Sequence, residues 1–177
     1  MKGVDAFLSE RAIFMHKEHV NKLKLKSSII EKSYSNLSGK TLSEIRRAKI
    51  DKGAREELVH LKSEVISHEL YFSSFGEKFE FSKTVNERFG SVSSFLYNLQ
   101  KIAMDTPSGF LIIYECREEF LIYAGKDYSD VIAYYNPLLS IDLCEHAYFT
   151  DYGFSKEKYL ESALSYLKLS VFDKNNR

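Results

Sequence analysis

Residues 110–125 read FLIIYECREEFLIYAG, two β-rich runs with only Arg117 and Glu118 between them. So short a link turns the second run back alongside the first, which predicts an antiparallel hairpin. A third run, VIAYY at 131–135, continues into NPLLSIDL and adds a further strand. The second half of the chain must therefore accommodate a small antiparallel sheet.

The first half has a different period. From about Ser9 to Lys32, Ile13, Phe14, Val20, Leu23, Ile29 and Ile30 recur at helical spacing, with Lys and Glu on the other face. SNLSGK at 35–40 is a polar, glycine-containing break. A second helix is expected from about Arg55 to Phe72, with Leu58, Leu61, Val65, Ile66 and Phe72 inward. Two long helices joined in this way make an αα-hairpin. A third helix is expected near Ser93–Met104, stopped by Asp105-Thr106-Pro107. A last one begins near Ser155 and carries Tyr159, Leu160, Ala163, Leu164 and Leu167 at helical spacing. The fold class is α+β: an N-terminal long αα-hairpin, then a C-terminal α/β lobe with a small three-stranded antiparallel sheet. The charged stretch 76–90 is the expected boundary, giving a helical hairpin domain at 1–83 and an α/β domain at 84–177.

Length and charge narrow the function classes. The 177 residues suit one large domain or two small lobes around a shared core, and 44 % hydrophobic residues are enough to fill it. A formal net charge of zero offers little to phosphate backbones or anionic lipid, so neither nucleic acid nor a membrane is an expected partner. No apolar run approaches the roughly 18 residues of a spanning helix. Asp5, Glu10 and Arg11 interrupt any apolar signal segment near the N-terminus, so a cytoplasmic location is expected. Cys116 and Cys144 form no CxxC pair.

Asp142 and His146 stand four apart where the last strand ends. A carboxylate with an imidazole suits a first-row transition metal. Such a pair alone is more often a capping Asp and a satisfied core His.

The surrounding segment, LLSIDLCEHAYFTDY at 138–152, resembles the most diagnostic stretch of the iron/manganese superoxide dismutases. That pattern is an apolar strand, then D-[VL]-W-E-H-A-Y-Y, then a D-Y step into the last helix. Asp142, Leu143, Glu145, His146, Ala147, Tyr148, Asp151 and Tyr152 match it, while Cys144 replaces a tryptophan and Phe149 a tyrosine. SEVISHELYFSSF at 63–75 resembles the family's helix with its second metal histidine and following aromatic pair. RFGSVSSFLYNLQ (88–100), PSGFLIIYE (107–115), GKTLSEI (39–45) and YLESALSYL (159–167) resemble further family segments in order.

The resemblance implies one iron or manganese ion per chain, held by His16, His68, Asp142 and His146. Two registers remain for the first ligand. Counting without a gap from LSERAIFMH to Gly39 places His16 there, whereas aligning HVNKL at 19–23 places Arg11 there. The first is preferred, since arginine cannot deprotonate to bind a metal. The implied reaction converts superoxide to dioxygen and hydrogen peroxide in a homodimer, with Glu145 bridging to the partner's metal histidine.

The residues around the ligands depart from the family. Glu64 stands where iron enzymes carry glutamine, and Asp127-Tyr128 where manganese enzymes bring one from the sheet loop. Lys24 falls on the family tyrosine and Val20 on its outer histidine; Tyr71 and Phe72 take the aromatic pair. Glu64, Lys24 and Tyr71 are thus the candidates for tuning the reaction, and Glu64 also has the chemistry to coordinate the metal directly. His60, Glu64 and His68 recur every four residues, either as a metal-facing stripe or with only His68 binding and His60 solvated. His19 reads as a surface or outer residue, and Cys144 as a small core filler. The alternatives to a dismutase are a paralogue of the same fold with a structural or interaction role, and an enzyme of altered redox chemistry.

Overall fold

The computed structural model describes residues 3–116, 119–126 and 135–173. Helix α1, Glu10–Ser33, starts where the Ser9 hydroxyl accepts the Ala12 N–H, satisfying a donor the first turn leaves open. Its buried residues Ala12, His16, Val20, Leu23 and Ser27 form one stripe at intervals of three or four. Phe14 and Ile29, expected inward, instead lie on the outer face, 65 % and 57 % exposed. Polar His16 and Ser27 occupy two places in the stripe, which a search for apolar periodicity cannot register.

A short helix α2, Leu42–Arg46, follows a capping box in which the Thr41 hydroxyl accepts the Glu44 N–H and the Glu44 carboxylate accepts the Thr41 N–H. Helix α3, Lys52–Ser73, is capped by the Asp51 carboxylate on the Ala54 N–H. It buries Leu58, Leu61, Ser67, His68 and Tyr71, while Val65, Ile66 and Phe72 are half-buried. Helices α1 and α3 pack together as the long hairpin. Residues 83–89, inside the charged stretch, form α4, Lys83–Phe89. The Asp173 carboxylate ties down its start by accepting from the Ser82 hydroxyl and the Thr84 N–H. Helix α5, Val92–Asp105, then buries Phe95, Leu99 and Ala103.

The sheet is β1 Phe110–Cys116, β2 Glu119–Gly125 and β3 Asn136–Asp142, all antiparallel with β1 central. The hairpin register pairs Cys116 with Glu119 and Phe110 with Gly125. The third strand is the NPLLSID continuation; residues 131–134 of VIAYY, like Arg117 and Glu118, lie outside the described residues. Strand β1 is covered on both faces, which explains why FLIIY does not alternate. Leu111 and Ile113 join the main core with Leu139 and Ile141. Phe110, Ile112 and Tyr114 face Leu42, Ile66 and Leu70. Two further helices close the chain, α6 Glu145–Tyr152 and α7 Lys156–Ser165. The main core runs from Leu8 and Ala12 through Tyr71 and Phe75 to Leu111, Leu160 and Phe172, so the helical hairpin and the sheet share it. The architecture is α+β, a helical N-terminal region followed by an α/β region with a three-stranded antiparallel sheet. Among the described residues no helix is long and apolar enough to cross a membrane.

Gly109 is the tightest point of this arrangement. Its φ is +109°, and a Cβ there would lie 2.1 Å from the Gly125 carbonyl oxygen. Its own carbonyl accepts the Leu143 N–H at 2.9 Å, fixing the chain just past Asp142. Gly109→Ala is expected to cost about 3 kcal/mol or more, a fall in Tm of roughly 6–12 °C for a chain of this size. Gly39→Ala, at φ +72° in open space, is expected to cost only about 1–2 kcal/mol. Thermal unfolding followed by circular dichroism compares the two; equal shifts would refute a special constraint at Gly109.

Candidate metal centre

Four side chains from four elements of the fold meet in one buried group. His16 comes from the buried stripe of α1, His68 from the last turns of α3, Asp142 from the end of β3 and His146 from the first turn of α6. The Nε2 atoms of His16, His68 and His146 lie 3.2, 3.3 and 2.9 Å from one oxygen, Asp142 Oδ2. His68 Nε2 and His146 Nε2 are 3.2 Å apart. The side chains of His16, His68 and Asp142 are fully buried, while that of His146 is 33 % exposed.

Local bonds aim these atoms. His68 Nδ1 is 2.7 Å from the Glu64 carbonyl oxygen, so it donates there and its Nε2 keeps a lone pair. Asp142 Oδ1 accepts the Cys144 N–H at 2.8 Å, leaving Oδ2 to face the imidazoles. The Asp142 carbonyl accepts the Tyr159 hydroxyl at 2.9 Å, and the Tyr159 hydroxyl lies 3.2 Å from that of Tyr71. The rings of Tyr71 and Phe72 stand 5.1 and 5.0 Å from the His16 ring, and Phe110 meets His68 edge-on at 5.0 Å. The Ser9 N–H and hydroxyl both donate to the Asp151 carboxylate, at 2.7 and 2.6 Å, joining the start of α1 to α6.

The donors fit a metal better than they fit one another. Asp142 Oδ2 and His16 Nε2 are buried, yet neither makes a hydrogen bond. Buried polar atoms seldom stay unpaired. Each imidazole nitrogen lies 2.9–3.3 Å from the carboxylate oxygen, and all four donor atoms fall within 4.8 Å of one another, close enough to share one cation at about 2.0–2.2 Å. Three imidazoles and a carboxylate suit a first-row transition metal. Charge favours it too. Burial opposes ionisation of Asp142, but the surrounding imidazoles, His146 foremost, hold its pKa well below the usual carboxylate value. Burial lowers the pKa of His16 against the pull of Asp142. At His146 burial acts in the same downward sense, and the Asp142 contact overcomes it, so its pKa is raised.

A polar pair sits beside this group. His19 Nε2 is 3.2 Å from Glu64 Oε1, and the His19 ring lies 4.5 Å from that of His146. Sequence spacing left His19 as a surface or outer residue; its contact with Glu64, 45 positions away, depends on how α1 and α3 cross. Tyr159 was legible only as a core residue of the last helix. Lys24 points elsewhere: its Nζ pairs with Glu69 at 2.7 Å, beside a 390 Å³ cavity also lined by Ser27, Lys62 and Ile66. Arg11 and Glu145 are exposed. Cys144 fills the place of an aromatic residue with a thiol 3.2 Å from the Ser108 hydroxyl, and burial pushes its pKa up to about 11. Asp127 and Tyr128 lie outside the described residues.

Comparison with known proteins bears on the family. Residues 77–175 match the family model described as iron/manganese superoxide dismutases, C-terminal domain. The protein named Superoxide dismutase [Fe] from Cupriavidus metallidurans is 30 % identical over 169 residues, covering 88 % of this chain and 81 % of that protein. The chain belongs to the iron/manganese superoxide dismutase family.

Proposed function

We propose that the protein is a superoxide dismutase that holds one iron or manganese ion per chain through Nε2 of His16, His68 and His146 and Oδ2 of Asp142. The observation that carries this reading is the meeting of three imidazole nitrogens on one buried carboxylate oxygen that no hydrogen bond satisfies. Such an ion, alternating between two oxidation states, supplies the electron chemistry that oxidises one superoxide to dioxygen and reduces a second to peroxide. The chain's residues do the rest. The Glu64 carbonyl and the Cys144 N–H hold His68 and Asp142 in their binding orientations. Tyr71, Phe72 and Phe110 keep bulk water from the inner side of the donors. Peroxide formation consumes two protons, and the His19–Glu64 pair holds one between Nε2 and Oε1 at the partly exposed rim.

The same pair favours a second reading, an enzyme of altered redox chemistry. A carboxylate at position 64 accepts protons where an amide would donate them. That change alters the balance between the two oxidation states of a neighbouring ion. Lys24 belongs to this reading only through its ion pair with Glu69, one residue beyond His68.

A homodimer completes the proposal. Glu145 is exposed beside His146, and Phe149 and Phe154 are 48 % and 83 % exposed with their rings 5.1 Å apart. These residues form one apolar and acidic face next to the metal donors. Phe154→Ser with Phe149→Ser is expected to shift the protein to monomer in analytical ultracentrifugation. A wild type that is already monomeric, or a variant that stays dimeric, refutes this face as the interface.

The founding test is metal content. Elemental mass spectrometry is expected to find about one iron or manganese per chain, lost in His68→Ala and His16→Ala and kept in Arg11→Ala. A protein that stays metal-free after reconstitution would instead indicate a structural paralogue. With metal established, Glu64→Gln is expected to lower superoxide turnover by about 100-fold, with peroxide turnover assayed in parallel. Unchanged turnover would leave Glu64 incidental, and peroxide turnover exceeding superoxide turnover would favour the second reading.

A further inference from the structure

The cavity of 390 Å³ beside Lys24 is built from α1, α3 and the start of α2, and none of the four metal donors lines it. Its volume falls in the range of roughly 300–1,000 Å³ typical of small-molecule sites. Leu42, Val65 and Ile66 give it an apolar wall. Leu42 is buried, and Ile66 packs with it against Phe110, Ile112 and Tyr114 of the sheet. The wall is therefore backed by core and keeps its shape.

The charges of the lining do not balance. In a chain of zero formal net charge, Lys24, Lys40 and Lys62 line this cavity with Glu31 as the one carboxylate. Each lysine has an acidic neighbour, but only Glu31, 2.6 Å from Lys62 Nζ, belongs to the lining. Lys24 pairs with Glu69 and Lys40 with Glu44, both outside it, and all four of those side chains are 46–55 % exposed. Pairs so exposed hold their partners weakly. An ammonium also carries three donors, more than one carboxylate oxygen uses, so Lys24 and Lys40 can take a further anion.

The hydroxyls of the lining are already engaged. Ser27 donates to the Leu23 carbonyl, and the Thr41 hydroxyl is bound up with Glu44 in the capping box. A sugar or nucleotide, which needs many hydrogen-bond partners, finds few here, and a cation meets three ammonium groups. The chemistry offered is positive charge at the rim over an apolar wall.

We propose that this cavity binds a small organic carboxylate with an apolar body, a medium-chain fatty acid anion or its like, with the head at the rim lysines and the body on Leu42, Val65 and Ile66. Such binding goes beyond the dismutase reading, and it is measured in the chain as purified, whatever its metal content.

The test is isothermal titration calorimetry with three probes that share one tail: octanoate, octanol and octylammonium. Octanoate is expected to bind once per chain, octanol about tenfold more weakly, and octylammonium without saturation. Lys24→Gln with Lys40→Gln is expected to bring octanoate down to the affinity of octanol while leaving octanol unchanged. Val65→Phe, which fills the cavity from its half-buried wall, is expected to abolish binding of both. Circular dichroism checks that each variant is folded. Octanol binding as tightly as octanoate overturns the assignment, as does wild-type octanoate affinity in the lysine double variant or in Val65→Phe. So does a wild type that takes up no octanoate.

Discussion

Everything near the centre of this molecule answers to the burial of one carboxylate. Asp142 is wholly inaccessible to solvent, and an ionised carboxylate removed from water is costly unless compensated. Each of its polar atoms has its own environment. Oδ1 has the Cys144 N–H, the main-chain carbonyl has the Tyr159 hydroxyl, and Oδ2 has three imidazoles but no hydrogen bond. The first two partners come from the turn into α6 and from α7. They fix the residue so that the third oxygen faces the histidines. The arrangement keeps one strong acceptor unsatisfied, as a cation site requires.

The fold delivers those histidines through elements with little in common. His16 rides on a buried stripe that is mostly apolar, and His68 follows the deepest part of α3. His146 depends on a helix separated by only two residues from the strand carrying Asp142. These parts are held in register by a few polar ties. Asp151 binds the first turn of α1 to α6, and the Ser74 hydroxyl accepts the Ser140 N–H to join α3 to β3. Gly109 lets β1 begin close enough to Gly125 for the strand carrying Asp142 to lie beside it. A core of large apolar side chains stabilises such a structure, each fully buried one by about 1.5–3 kcal/mol. The polar ties decide where the donors stop.

Much of this could be read from the chain, for reasons that differ by element. The β1–β2 hairpin was legible because a two-residue link allows one outcome, and the central place of β1 agrees with its unbroken apolar run. The long helices were legible from their period, but the inward face of α1 was misassigned at Phe14 and Ile29 because His16 and Ser27 hold core positions. Helix α4 was hidden in a charged stretch because its start is secured by Asp173, some ninety residues away. Asp142 and His146 stand out through their motif. His16 competed with Arg11 in the sequence, and the structure places His16 in the buried group and leaves Arg11 exposed. The His19–Glu64 contact had no local signature, since it arises where two helices cross.

That contact also bears on how the rim treats charge. A lone carboxylate at position 64 would repel superoxide, itself an anion, from the edge through which the donors meet solvent. An imidazole 3.2 Å away moderates that field and gives the carboxylate a partner whose proton it can share. Lys24 provides no help there, because its charge is spent on Glu69 at the outer surface. The rim is therefore governed by imidazoles and one carboxylate in place of the phenol and amide of the family pattern. The inner four set the donor geometry, while His19 and Glu64 set the charge at its exposed edge.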